Sequence, residues 1–196
     1  MNIRRSFAAK RLLPALAAAA VAASCAAAIA DEHRLALTSA TFASGATLPG
    51  VTAYDGCASD AANRSPALAW SGAPERTQGY AVTLFDPDAP TGHGFYHWLL
   101  FDVPASVTHL DAGAVDPTSH AAVRGAVMGR VDFGFSHYGG PCPPKGDKPH
   151  HYVFTVYALD VARLAGADDA TTGEKFADVV APHVLAKATL TGRFGR

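Results

Sequence analysis

Two runs constrain this chain most. Tyr80-Ala-Val-Thr-Leu-Phe85 and Tyr152-Val-Phe-Thr-Val-Tyr-Ala-Leu159 have strand length, are rich in β-branched and aromatic residues, and are apolar on both faces. Side chains on a strand alternate between faces, so such a run must be covered on both sides. Strands of this kind belong in the middle of a sheet and not at its edge. Leu35 to Phe42 and His97 to Val103 read as two further strands. No unit of about 20–50 residues recurs, which sets repeat architectures aside.

The sustained helical pattern lies near the C-terminus. Thr171-Thr-Gly-Glu174 fits a capping box, and Phe176, Val179, Val180, Val184 and Leu185 share one helical face. Pro182 predicts a kink there, or a break into two short helices. The remaining connections are long for so small a chain, and Asp86–Tyr96 and Asp132–His151 are the ones expected to carry function.

The first residues combine a basic segment, Arg4-Arg5-Ser-Phe-Ala-Ala-Lys10-Arg11, with an apolar run from Leu12 to Ala23 and Ala28-Ile-Ala30 before Asp31. This predicts a removable signal over residues 1–30 and one domain over 31–196, in a periplasmic or secreted protein. Arg4-Arg5 resembles a twin-arginine signal, and Cys25 marks lipid attachment as the alternative to cleavage after Ala30. The apolar run falls short of the roughly 20 residues of a membrane span. Four of the 16 Lys and Arg and none of the 17 Asp and Glu fall in residues 1–30, which leaves the remainder at −5. Such a domain has no broad attraction for nucleic acid or anionic lipid surfaces, so a bound anion must be held by local geometry. Without Cys25 the cysteines are the pair Cys57 and Cys142, and in an oxidising compartment a disulfide is expected.

The candidate chemistry starts at Phe85-Asp86-Pro87-Asp88-Ala89-Pro90, where each proline forces its predecessor into an extended conformation and so presents both carboxylates on a stiff segment. A hairpin would return His97 towards Asp86. In Tyr138-Gly-Gly-Pro-Cys142-Pro-Pro-Lys-Gly-Asp-Lys-Pro-His150-His-Tyr152, glycines allow close backbone approach and prolines fix the path. His150 and Tyr152 then share one strand face, towards the pocket, while His151 points away. Trp70 and Trp98 read as core. Asn63-Arg-Ser65 matches a glycosylation acceptor, to which no weight attaches.

Asp-Pro-Asp-Ala-Pro, the His97-Trp98 pair and Gly-Pro-Cys-Pro-Pro-Lys-Gly with His-x-Tyr resemble the phosphatidylethanolamine-binding protein family. Ser65-Pro-Ala-Leu-Ala-Trp70-Ser-Gly-Ala-Pro74 and Leu185-Ala-Lys-Ala-Thr-Leu are similar to its bacterial Raf-kinase-inhibitor-like branch. The resemblance implies a mainly β fold, an antiparallel sheet packed on a smaller one with peripheral helices. It also implies a non-enzymatic pocket for a phosphate-like or phospholipid-headgroup anion, no cofactor, and modulation of a kinase or other partner protein. Matching pocket positions are Asp86, Asp88, Pro90, His97, Tyr138, Pro143, Pro144, His150 and Tyr152. The chain departs from the family pattern at Tyr54–Asn63, which looks longer, and at Phe95-Tyr96.

Two carboxylates beside an anion would repel it by about 4 kcal/mol each at 4 Å and an effective dielectric of 20. Asp86 and Asp88 are therefore expected behind the donors, orienting His97 and His150, with the imidazoles, the Tyr152 hydroxyl and N–H groups near Cys142 facing the ligand. Binding should then tighten between about pH 8 and 6. The rival readings are a hydrolase and a metal site. Gly134-Phe-Ser-His-Tyr-Gly139 has one residue too many for a nucleophile elbow, Lys145-Gly146 reverses a phosphate-binding loop, and the spacing fits no tight ligand motif.

Overall fold

The computed structural model describes residues 34–114 and 123–196. The expected signal over 1–30, with Cys25, lies outside them. Among the described residues the strands are β1 (Ala36–Thr38), β2 (Leu68–Ser71), β3 (Gly79–Asp86), β4 (Phe95–Pro104), β5 (His109–Leu110), β6 (Val127–Met128), β7 (His150–Leu159) and β8 (Val184–Phe194), with one α-helix, α1 (Gly173–Val180). They form two antiparallel sheets, β1-β2-β5 and β6-β4-β3-β7-β8.

The two doubly apolar runs, in β3 and β7, lie inside the larger sheet. On one face Tyr80, Val82 and Leu84 join Phe154 and Val156 of β7, and pack with Leu37, Leu68, Trp70 and Leu110 of the smaller sheet. On the other face Ala81 packs with Leu99, Phe101, Leu159, and Phe176 and Val180 of α1. Burial of both faces of these strands is the main apolar stabilisation of the fold.

Three expectations shift. Leu35–Phe42 shortens to the three residues of β1. The cap of α1 is Thr172, whose hydroxyl accepts from Lys175 N–H, and not Thr171. The helix ends at Val180, a 3-10 turn carries Pro182, and Val184 and Leu185 open an 11-residue strand instead of extending the helical face. Pro182 breaks the helix as expected, but pairing with β7 claims the residues beyond it.

Strand β4 departs from regular pairing where the site forms. Leu84 pairs with Trp98, yet Phe85 pairs with Tyr96, so His97 is the extra residue of a bulge. A bulge re-aims a side chain. His97 packs against Tyr152 with ring centroids 5.3 Å apart, while its neighbour Trp98 belongs to the core between the sheets.

Candidate functional site

Asp86 closes β3, His97 sits in the β4 bulge and His150 opens β7, so three strand ends of one sheet meet. With Ala89, Pro90, Thr91, Phe95, Phe133, Cys142, Pro143 and Pro144 they line a cavity of about 200 Å³. Among the described residues no Lys or Arg lines it.

Asp86 is 2% exposed and its carboxylate is spoken for: Oδ1 accepts Asp88 N–H at 2.8 Å, and Oδ2 accepts His150 Nδ1–H at 2.8 Å. It serves as a buttress to His150, a cavity-lining residue whose Nε2 has the exposed Asp147 carboxylate 3.6 Å away. Asp88 does something else. Its Oδ2 accepts both the backbone N–H and Nδ1–H of His151, at 2.7 Å each, on the surface. The His151 backbone bond, opposed by some desolvation, holds the Asp88 carboxyl below the usual carboxylate range. Asp88 therefore fixes the entry of β7 and orients neither His97 nor His150, contrary to the expectation from sequence.

His97 is oriented by backbone. Its Nδ1 lies 2.8 Å from Gly139 O and 3.1 Å from Gly140 O. Carbonyl oxygens only accept, so Nδ1 carries the hydrogen and Nε2 is a bare lone pair in the neutral ring. Burial lowers the proton affinity of this imidazole, more than the two carbonyls and the Asp86 charge restore it. The rings of Phe95, Phe133 and Tyr152 surround it at 5.0–5.3 Å.

Tyr152 is fully buried beside both imidazoles. Burial first, and then the Asp86 charge, raise its hydroxyl above the usual phenol range, so it stays a donor. That hydroxyl makes no formed hydrogen bond among the described residues, although the Asp86 carboxylate and the Cys142 N–H are its polar neighbours. Tyr152 lies behind the lining, against the His97 ring, and Tyr138, equally buried, also lies outside the lining, with its hydroxyl donating to Thr52 O at 3.0 Å. It braces the site from behind.

What sequence reasoning missed is the brace itself. Asn63, 4% exposed and in the left-handed region at φ 45°, accepts Gly140 N–H on Oδ1 at 2.7 Å and donates from Nδ2 to Tyr138 O at 3.0 Å. Cys57 and Cys142 form the expected disulfide, with Cα atoms 5.3 Å apart, and Tyr54 N–H donates to Pro141 O. Thus the Tyr54–Asn63 segment, where a departure from the family pattern was expected, is what clamps the 138–142 loop whose carbonyls hold His97. A Cβ at Gly140 would collide with Thr52 O, so only glycine fits the approach. Phe133 also escaped notice, stacked on Tyr54 at 4.9 Å and walling the cavity. Its only sequence signal is the aromatic alternation Phe133, Phe135.

No cluster of three potential metal ligands occurs among the described residues. No described helix is long and apolar enough to cross a membrane.

Two packed antiparallel sheets, with a small pocket at the strand ends where Asp86, His97 and His150 meet apolar walls, define the class of β protein to which the chain is similar. The family model described as phosphatidylethanolamine-binding protein matches residues 38–195, and the chain belongs to that family. It is similar to the UPF0098 protein YbcL of Escherichia coli, 46% identical over 140 residues that cover 70% of this chain and 75% of YbcL. The UPF0098 protein YbhB of the same organism is 39% identical over 150 residues, covering 76% and 93%. The crystal structure of YbcL, described as a new member of the mammalian PEBP family, aligns with a TM-score of 0.79 at 39% identity, covering 83% of this chain and 99% of that one. The fold expected from the motifs is thereby established.

Proposed function

We propose that this is an exported, non-enzymatic protein that binds a phosphate-like anion in the cavity between Asp86, His97 and His150, and that occupancy regulates a partner protein. The observation that carries the reading is the Asp86–His150 pair at the cavity, a buried carboxylate behind an imidazole whose Nε2 has a loose contact, 3.6 Å to the exposed Asp147 carboxylate, which an anion would displace. The Tyr152 hydroxyl, buried and without a formed hydrogen bond, supports it as an unused donor. Binding without turnover fits a lining whose described residues offer no free hydroxyl or thiol nucleophile. Cys142 is held in the disulfide, and Thr91 donates its hydroxyl to Gly94 O at 2.6 Å.

Titration calorimetry with inorganic phosphate and with phosphoethanolamine tests the proposal. His150→Ala should weaken binding by about tenfold or more, the worth of a charge-assisted hydrogen bond. Asp86→Asn should do the same by releasing the imidazole. Unchanged affinity in both variants would remove the site. Hydrolysis of a phosphoester that stops in His150→Ala would replace binding with catalysis.

A further inference from the structure

We infer that, among phosphate-like ligands, the pocket selects the protonated monoester end group, R–O–PO2(OH)−, over a phosphodiester, because the free nitrogen of His97 is an acceptor. This rests on the anion-binding reading above and makes it specific.

Gly139 O and Gly140 O both lie on Nδ1 of His97 and oblige it to donate. The Gly139–His97 link is doubled, since Gly139 N–H donates to His97 O at 2.8 Å. The tautomer is therefore built into the loop, and the loop is fixed by Asn63 and the disulfide. Nε2 is the ring nitrogen left for a ligand. A diester anion offers acceptor oxygens only, and meeting a lone pair with an acceptor leaves both unpaired. A monoester monoanion offers one P–OH donor for Nε2 and keeps acceptor oxygens for the Tyr152 hydroxyl and neighbouring N–H groups.

The alternative is for His97 to take up a proton, and its surroundings oppose that. The rings of Phe95 and Phe133 and that of Tyr152 on β7 enclose it. The charged or titratable groups near it are Asp86 at the end of β3, His150 and Tyr152 on β7, and Asp132 and Tyr138 from the loop after β6. Asp86 is committed to His150 and Asp88 N–H, and Asp132 accepts Tyr96 N–H at 2.7 Å, so neither is hydrogen-bonded to the His97 ring. Desolvation outweighs their attraction. The proton thus arrives on the ligand. A monoester loses its second proton near pH 6, so above that pH binding takes about one proton from solvent and forms no covalent bond.

Methyl phosphate and dimethyl phosphate test this with the wild-type protein, since both bind as monoanions and differ by the P–OH. Calorimetry at pH 6 should show dimethyl phosphate weaker by about tenfold or more. Repeating at pH 7.5 in two buffers of different ionisation enthalpy should show methyl phosphate taking up about one proton more than dimethyl phosphate. Equal affinities with equal proton uptake would overturn the inference and leave the anion site standing. Binding of neither would overturn both. Nitrogen NMR of the ligand-free protein should show His97 protonated on Nδ1, and an Nε2–H tautomer would overturn the inference whatever the calorimetry shows. Phosphatidylcholine vesicles doped with phosphatidic acid or with phosphatidylethanolamine separate the sources of the group. Displacement of methyl phosphate by phosphatidic acid alone assigns the monoester to a lipid headgroup, and displacement by neither assigns it to a soluble ester. Displacement by phosphatidylethanolamine alone contradicts the inference.

Discussion

Asn63 grips Gly140 across 77 residues of chain, accepting its backbone N–H at 2.7 Å inside a fully enclosed site. The same amide donates to Tyr138 O, so one side chain fixes both ends of the turn that holds His97. Asn63→Ala leaves a buried N–H unpaired and puts an alanine in the left-handed region, with an expected loss of about 2–4 kcal/mol in denaturant unfolding. Asn63→Asp keeps the acceptor and should recover part of the loss. Phosphate affinity should fall most in Asn63→Ala, where the carbonyls that orient His97 are no longer held, and less in Asn63→Asp, which loses only the bond to Tyr138 O.

The Cys57–Cys142 bridge joins the same two segments, and Cys142 also lines the cavity. Closing a loop of 85 residues contributes on the order of 4 kcal/mol in the chain-entropy model. Reduction, or the double substitution Cys57→Ser with Cys142→Ser, should lower the melting temperature markedly. Phosphate affinity of the reduced protein at a temperature where it stays folded should drop as well. A drop in stability with affinity intact would show that the bridge serves the fold alone.

The sheet interior was legible because its signal is local: successive apolar residues in β3 and β7 need no partner to be read. The same holds for the pairing of His150 with Tyr152 on one face. Strand β8 was not legible. Phe176, Val180 and Val184 keep a helical spacing through Pro182, and only pairing with β7 makes Val184 a strand residue. The bulge at His97 was invisible for a related reason, since register belongs to two strands at once. Asp88 was placed at the pocket by the resemblance of Asp-Pro-Asp-Ala-Pro to the family motif, and its carboxylate instead faces His151, a pairing with a residue 63 positions away that no local pattern announces. Asn63 carried no local pattern beyond a glycosylation match, and its partners lie 75 and 77 residues away.

Tyr152 separates stability from function. Its hydroxyl makes no formed hydrogen bond among the described residues, so Tyr152→Phe removes a buried polar group and should leave the melting temperature unchanged or raised. If the hydroxyl donates to the anion, phosphate affinity should fall by about tenfold in the same variant. A destabilised variant with full affinity would mean that Asp86 or the Cys142 N–H already satisfies the hydroxyl.

His97 ties folding to pH in a defined window. Burial lowers its proton affinity in the fold from the usual 6.5, while the unfolded chain keeps the ordinary value. Between those two values the unfolded state holds a proton that the native state does not, so acid favours unfolding. Stability from this group is complete above about pH 6.5, declines as pH falls below it, and levels off once the folded imidazole is protonated. Asp88 adds a second loss, of the opposite chemical kind, because its carboxyl is held below 3.8 by His151 N–H and must be protonated. That loss falls below about pH 4, so the two steps are separable. Guanidinium unfolding from pH 8 to 3 should show both, and His97→Gln should remove the upper one. Should that variant fail to fold, the imidazole resonances of the wild-type protein report the same titration, and a His97 midpoint at or above 6.5 would refute the assignment.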